Sequence, residues 1–214
     1  PPRSTLFPYT TLFRSAVLSL DPQSAFALRL RGDAKRMLND YGNAIADLNA
    51  SLLLDPTSAF ALRSRGEARR MISDYPLALD DLNAALDLDP TSAFALRSRG
   101  DIKRVQGDYT GAIDDLDEAL RFEPESAWAL RGRGEAKRLL GDYIGAIADF
   151  DESLRLEPQN VFSLGSRGQS KLALGDYSGA VADLDAAHNL DPGVQWVQTS
   201  RDEARAKLGG MTGS

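Results

Sequence analysis

The sequence contains no cysteine, and His188 is the only histidine among its 214 residues. The lack of cysteine excludes disulfide bridges and thiolate metal sites, and it fits a reducing compartment. A single histidine without partners provides neither a catalytic triad nor a histidine-based metal site. We therefore expect a protein that is not an enzyme, with no catalytic residues, no metal and no cofactor.

Long apolar runs are also lacking, and so is an excess of basic residues. No stretch approaches the about 18 apolar residues of a membrane span, and the first residues lack the features of a secretory signal. The formal net charge of −6 disfavours general nucleic-acid binding. We expect a cytoplasmic protein without a membrane contact, for which a nucleic-acid partner is disfavoured. The oligomeric state stays open.

What the sequence does contain is a 34-residue repeat, present five times without a slip in register. An acidic residue followed by proline recurs at this period: Asp21-Pro22, Asp55-Pro56, Asp89-Pro90, Glu123-Pro124, Glu157-Pro158 and Asp191-Pro192. A period of this length indicates stacked units in which each repeat packs on its neighbours, rather than one large core.

Each repeat predicts two helices with a break between them. In the third copy, Leu96 and Gly100 lie four residues apart on one helix face, and Ala112 is the small residue of the second helix. Glycine inside a helix costs about 1 kcal/mol relative to alanine, so its recurrence predicts close approach of the second helix. An aspartate precedes the tyrosine at the break of every copy and is positioned to cap the second helix: Asp40, Asp74, Asp108, Asp142 and Asp176.

These columns resemble the tetratricopeptide repeat (TPR) family. The first-helix glycine, the tyrosine and alanine that open the second helix, the small residue at Ala85 or Ala119 and the closing proline all match its pattern. The resemblance covers residues 24–193. It implies an all-α, right-handed solenoid of antiparallel helix pairs, with a concave face lined mainly by the first helices. It also implies a non-catalytic scaffold that binds a protein or peptide.

The repeat register predicts the organisation of the whole chain. The first segment, 1–15, resembles a translated sequencing adapter and is expected to be an artefactual leader, so that natural upstream repeats are missing. The expected segments are the leader 1–15, a remnant of a preceding repeat helix 16–23, five TPR units 24–57, 58–91, 92–125, 126–159 and 160–193, a capping helix 194–208 and a tail 209–214.

Two basic columns depart from the family pattern, in which these positions are often apolar or aromatic. They are Arg31, Arg65, Arg99, Arg133 and Arg167, and Lys35, Arg69, Lys103, Lys137 and Lys171. An acidic column, Asp47, Asp81, Asp115, Asp149 and Asp183, runs through the second helices. Because charges near a packing face need partners, we expect each arginine to pair with its aspartate. The alternative is a basic stripe that binds a ligand.

A second face of the first helix carries an aromatic residue, two arginines and an acid. If the resemblance holds, this face lines the groove and offers residue types enriched at binding hot spots. The expected partner-binding residues are Phe60, Arg63, Arg70, Phe94, Arg97, Arg104, Trp128, Arg131 and Arg138. The competing interpretation is a solvated surface on which arginines and acids satisfy each other at helical spacing.

Charge separation within a repeat favours an acidic or C-terminal peptide as the ligand. The first helix of the third repeat has four basic residues against Asp101, whereas 108–123 has six acids against Arg121. Acids stand where the carboxylate clamp of some TPR proteins needs asparagine, which argues against that use. Two other functions remain: a regulatory or substrate-presenting segment of a larger enzyme and, more weakly, single-stranded RNA binding.

Overall fold

The computed structural model describes residues 24–212, which form eleven α-helices and contain no β-strand. The expected leader, 1–15, and the expected repeat remnant, 16–23, lie outside these residues. The chain divides into two compact units, Pro1–Ile102 (unit 1) and Lys103–Ser214 (unit 2).

Helices of 13 and 14 residues alternate along the repeats. The helices that begin in unit 1 are α1 Ala25–Met37, α2 Tyr41–Leu54, α3 Ala59–Met71, α4 Tyr75–Leu88 and α5 Ala93–Val105. Those of unit 2 are α6 Tyr109–Phe122, α7 Ala127–Leu139, α8 Tyr143–Leu156, α9 Val161–Ala173, α10 Tyr177–Leu190 and α11 Gln195–Thr212.

Within each unit, helices that are close in sequence pack on one another. In unit 1, α1 pairs with α2 and α3 pairs with α4, while α3 also contacts α1 and α2. In unit 2, α7 pairs with α8 and α9 pairs with α10, and α11 covers α10 and part of α9. The expected all-α solenoid of helix pairs is therefore confirmed.

The turn within each hairpin combines a left-handed residue with an aspartate. The left-handed residue is Asn39, Ser73, Gly107, Gly141 or Gly175. The aspartate that follows caps the second helix in three copies, through bonds from Gly111, Gly145 and Gly179 to Asp108, Asp142 and Asp176. Asp40 and Asp74 make no such bond.

The missing caps have a steric explanation. An added Cβ on Gly111 would lie 2.3 Å from the Asp108 carboxylate, so glycine at this position lets the aspartate reach the backbone. Asn43 and Leu77 stand at the equivalent position in the first two repeats. The predicted cap is thus wrong at Asp40 and Asp74, because a side chain occupies the space that glycine leaves open.

The recurring glycine of the first helix lies against the second helix, as predicted. An added Cβ at Gly66 would lie 2.9 Å from Leu82 Cγ and 3.2 Å from the carbonyl oxygen of Ala78. The alanine is fully buried and contributes its backbone. The closest atoms, however, belong to the leucine four residues later, so the contact is glycine against leucine more than small residue against small residue.

A guanidinium–carboxylate pair recurs within the hairpins. Arg65 donates through Nε and Nη2 to Asp81 at 2.9 and 2.6 Å, and Arg69 adds a 2.7 Å bond to the same buried carboxylate. Lys103 pairs with Asp115 at 2.9 Å. The equivalent arginine pairs are Arg31–Asp47, Arg133–Asp149 and Arg167–Asp183. The predicted pairing of arginine with aspartate is confirmed in four hairpins, those of Arg31, Arg65, Arg133 and Arg167. These four arginines therefore do not form a ligand stripe.

The same arginines also join consecutive repeats, which the sequence analysis missed. Arg65 Nη1 donates to Asn49 at 2.7 Å, and Arg133 Nη1 donates to Asp117 at 2.6 Å. The equivalent bonds are Arg99–Asn83 and Arg167–Asp151. Arg65, Arg133 and Arg167 each therefore bridge the second helices of two neighbouring repeats. A column of short polar residues 16 positions before each arginine was the available signal.

Candidate functional site

The first helices of unit 1 present an alternating stack of phenylalanine rings and arginines. Arg29 Cζ lies 4.9 Å from the ring centroid of Phe26 and 5.3 Å from that of Phe60. Arg63 repeats this geometry between Phe60 and Phe94, at 4.9 and 5.3 Å. Each arginine thus contacts the ring of its own repeat and the ring of the next one. We call the face formed by these five residues the Phe–Arg face.

The periodic sequence explains how this stack forms. A ring and an arginine three residues apart share one side of a helix, and the 34-residue period places the next ring beside the same arginine. Arg97 closes the stack at 4.7 Å from Phe94. Cation–π contacts of this kind contribute about 0.5–1 kcal/mol each at exposed sites. The stack therefore fixes arginine side chains that would otherwise be mobile.

A second row beside the stack consists of internal ion pairs. Arg70 binds Glu67 at 2.8 and 2.9 Å and reaches Asp101 of the next repeat at 2.5 Å. Asp33 accepts from Arg36 at 2.9 Å and from Ser64 at 3.0 Å. In this row, arginines and acids therefore pair with each other, as the second of the two interpretations predicts.

The ion pairs hold the row in its charged form. Burial disfavours ionised Glu67, but hydrogen bonds from Arg70 and Ser98 outweigh this, so the pKa of Glu67 stays below its usual range. Burial also disfavours the charged form of Arg70, and its bonds to Glu67 more than compensate, so the pKa of Arg70 is raised. A partner that binds Arg70 has to compete with these bonds.

In unit 2, two of the candidate arginines are bound to carboxylates. Arg131 donates to Glu157 at 2.5 Å, and Arg138 binds the buried Glu135 at 2.8 and 2.7 Å. Trp128 is half-buried on α7, and Arg104 is half-buried near the end of α5. The structure thus places these four candidate residues on first helices, with carboxylate partners already bound to two of the arginines.

The fifth repeat ends the pattern because α11 covers it. Trp196 lies so close to Gly165 that an added Cβ there would be 2.3 Å from the indole ring. Trp196 also contacts Phe162 edge to face, with centroids 6.3 Å apart. The glycine that replaces arginine in this repeat therefore makes room for the indole.

Across residues 24–212, no helix combines the length and apolar character that crossing a membrane requires. No cluster of three His, Cys, Asp or Glu side chains in the same residues has the arrangement of a metal site.

Two family models match the chain. A model described as tetratricopeptide repeat matches residues 29–93, and one described as TPR repeat matches residues 100–137. No curated protein sequence matches the chain.

Similar solved structures share the fold at low identity. A chain of the APC/C hetero-tetramer Cut9–Hcn1 aligns with a TM-score of 0.85 and 17% identity, over 92% of this chain and 39% of that one. The pilus biogenesis factor PilW aligns with a TM-score of 0.79 and 22% identity, over 92% and 91%. YrrB, described as a TPR protein with an unusual peptide-binding site, aligns with a TM-score of 0.70 and 16% identity, over 88% of this chain and 97% of that one.

At these identities the solved structures establish the fold alone, and the chain spans 39% of the length of the Cut9–Hcn1 chain it matches. The family models match parts of both units, and the recurring glycine, alanine, tyrosine and proline columns occupy the expected helix positions. Tetratricopeptide repeats therefore make up residues 29–93 and 100–137 of this chain.

Proposed function

We propose that this protein is a non-catalytic scaffold that binds a peptide or protein segment on its first helices. The observation that carries the proposal is the Phe–Arg face of unit 1. Its rings and guanidinium groups are held in place by one another, yet Phe26 remains 60% exposed and Phe60 and Phe94 only partly buried.

The chemistry of this face suits protein recognition. Aromatic residues and arginine dominate binding hot spots, because they combine a large contact area with directional hydrogen bonds. Side chains that are already ordered lose less conformational entropy when a partner binds. The Phe–Arg face supplies both properties across three consecutive repeats.

The fold supports the same function. TPR domains generally bind protein or peptide partners, and YrrB is described as having an unusual peptide-binding site. For this chain we propose Phe60, Arg63, Phe94 and Arg97 as the main contacts in unit 1. Arg70, Arg104, Trp128, Arg131 and Arg138 are secondary candidates, which bind only by displacing or sharing the contacts they already make.

A defined peptide panel tests the proposal. Acidic, basic and neutral peptides of equal length are labelled, and their binding to the purified chain is measured by fluorescence anisotropy. We expect Phe60→Ala and Phe94→Ala to weaken binding of the selected peptides by about tenfold or more, as at interface hot spots.

Phe122 provides the matched control for this experiment. It lies on a second helix, is partly exposed, and has Arg121 5.7 Å from its ring. We expect Phe122→Ala to leave peptide binding unchanged, with circular dichroism confirming that all three variants keep their helicity. Equal losses in the three variants, or no binding by any peptide, would contradict the proposed function.

A further inference from the structure

Two arginines of the Phe–Arg face differ from their counterpart in unit 2. Arg131 forms an ion pair with Glu157. Arg63 makes contacts with two rings and no hydrogen bond or ion pair with any other described residue. Arg29 donates only a long 3.4 Å bond to the Ser58 hydroxyl, and its buried Nε has no partner among the described residues.

The difference follows from the length of one acidic side chain. Glu157 stands 26 residues after Arg131, and the residues at this spacing after Arg29 and Arg63 are Asp55 and Asp89. Aspartate is one methylene group shorter than glutamate, and in these two repeats it bonds to its own loop.

Both aspartates turn back on their own loop. Asp55 accepts from the backbone and hydroxyl of Thr57 at 3.3 and 3.1 Å. Asp89 accepts from the backbone and hydroxyl of Thr91 at 3.1 and 2.8 Å. Their carboxylates are therefore engaged locally, and within residues 24–212 neither arginine has an acidic partner.

A cation that is partly buried without a counter-ion favours the approach of an anion. The guanidinium groups of Arg29 and Arg63 are also fixed, because each lies between two rings and both contact Phe60. A planar guanidinium offers paired N–H donors that match the two oxygens of a carboxylate. One short peptide segment can reach both groups, since they share a ring.

We infer that Arg29 and Arg63 bind two carboxylate side chains of an acidic peptide. Unit 1 would therefore recognise acidic residues of the ligand. This inference rests on the proposed function and gives the ligand its chemistry. It also assigns a role to the acidic residue that precedes proline at the end of a repeat. Aspartate at this position leaves the arginine available to a ligand, whereas Glu157 forms an ion pair with Arg131.

The decisive variant lengthens the internal acid. Asp89→Glu places a glutamate where Glu157 stands relative to Arg131, so the new carboxylate neutralises Arg63 from within. The probe is a short peptide with two glutamates separated by one residue, and its reference is the same peptide with glutamines. We expect Asp89→Glu to weaken binding of the glutamate peptide by about tenfold, as loss of a charge-assisted contact does, and to leave the glutamine peptide unaffected.

Two matched variants separate charge from loop effects. Asp89→Asn keeps a side chain that can accept from Thr91 and adds no carboxylate near Arg63, so it should not weaken binding. Glu157→Asp shortens the acid in unit 2 and should not weaken binding either. Equal losses in Asp89→Glu and Asp89→Asn, or unchanged binding in Asp89→Glu, would overturn the inference.

The outcomes also distinguish this inference from the proposed function. If Phe60→Ala weakens both peptides while Asp89→Glu weakens neither, the chain binds peptides on this face without reading acids. If neither peptide binds the parent chain at any concentration tested, and the wider panel gives no binder, the proposed function itself fails.

Discussion

Single residues separate repeats that are otherwise nearly alike. The left-handed position before the capping aspartate is glycine in three repeats, Asn39 in the first and Ser73 in the second. Asparagine tolerates this conformation because its short polar side chain bonds locally, whereas other residues with a Cβ are strained. The same sensitivity appears at Asp89 and Glu157, where one methylene group decides whether an arginine is paired.

The strain at Ser73 leads to a prediction about stability. Ser73 has φ of 63°, and Gly107 occupies the equivalent position at 86°. We expect Ser73→Gly to increase the free energy of unfolding by about 1 kcal/mol, because the left-handed conformation penalises a Cβ by roughly that amount. Urea denaturation followed by circular dichroism measures the change.

Ser73→Ala is the control for the lost hydroxyl group, and it should give no gain because alanine keeps the Cβ. A lower urea midpoint for Ser73→Gly than for the parent chain would contradict this explanation of the turn.

Individual helices are held in position by the close approach of the two helices of a hairpin and by the arginine bridges between repeats. The first helix of a hairpin needs glycine where it meets the leucine of the second helix, as Gly66 meets Leu82. Arg65 then binds both its own hairpin and the preceding one. Because these contacts lie on the packing side of the first helix, its other side remains available for the Phe–Arg face.

Two glycines of unit 1 provide a matched test of this packing. A methyl group on Gly66 would lie within 3.2 Å of both Leu82 and the Ala78 backbone, whereas Gly42 has no atom within 4 Å of its added Cβ. We expect Gly66→Ala to lower the free energy of unfolding by about 1–3 kcal/mol, as overpacking does.

Gly42→Ala should instead be neutral or stabilising by up to about 1 kcal/mol, since alanine is the better helix former. Thermal and urea denaturation of the two variants measure the difference. Equal effects at both positions would show that helix propensity, and not packing, sets the cost at Gly66.

At the scale of the whole molecule, charge is arranged so that most of it is satisfied internally. Buried aspartates recur in the hairpins of both units and are bound by basic residues of the first helices. Pairs of this kind cost desolvation free energy, and breaking one leaves an uncompensated charge. The chain is acidic in composition, yet the half-buried Arg29 and Arg63 have no acidic partner among the described residues.

The buried carboxylates predict a loss of stability in acid. Burial disfavours ionised Asp47, but hydrogen bonds from Arg31 and Lys35 outweigh this and hold its pKa below the usual value. The pKa of Glu67 is lowered in the same way. A carboxyl group whose pKa is lower in the folded state stabilises that state above its unfolded pKa of about 4.

We therefore expect the free energy of unfolding to fall as the pH decreases through this range and towards the folded pKa values. Urea titrations at pH 7 and at stepwise lower pH measure the decline. Asp47→Asn removes the contribution of Asp47 to this pH dependence, so the free energy of unfolding should decline less steeply in that variant. A steeper or identical decline in that variant would contradict the assignment to Asp47.

The repeats made much of the fold predictable. The 34-residue period, the glycine and proline columns and the apolar spacing determined helix pairs stacked in sequence, because each of these signals is local. The pairing of arginine with aspartate was also predictable, since a charge at a packing position requires a partner. The nine candidate contact residues rest on spacing, residue type and the family resemblance, and they stay a proposal.

What only the tertiary structure decided is which charged groups reach each other across repeats. The arginine bridges to Asn49 and Asp117 and the cover that Trp196 places on Gly165 depend on side chains from neighbouring repeats. The lack of an acidic partner for Arg63 among the described residues depends on Asp89, which bonds to its own loop. Sequence by itself determined the period and the helix faces, because both follow from local spacing. It did not determine the open arginines, because one methylene group changes a contact only after the helices have been brought together.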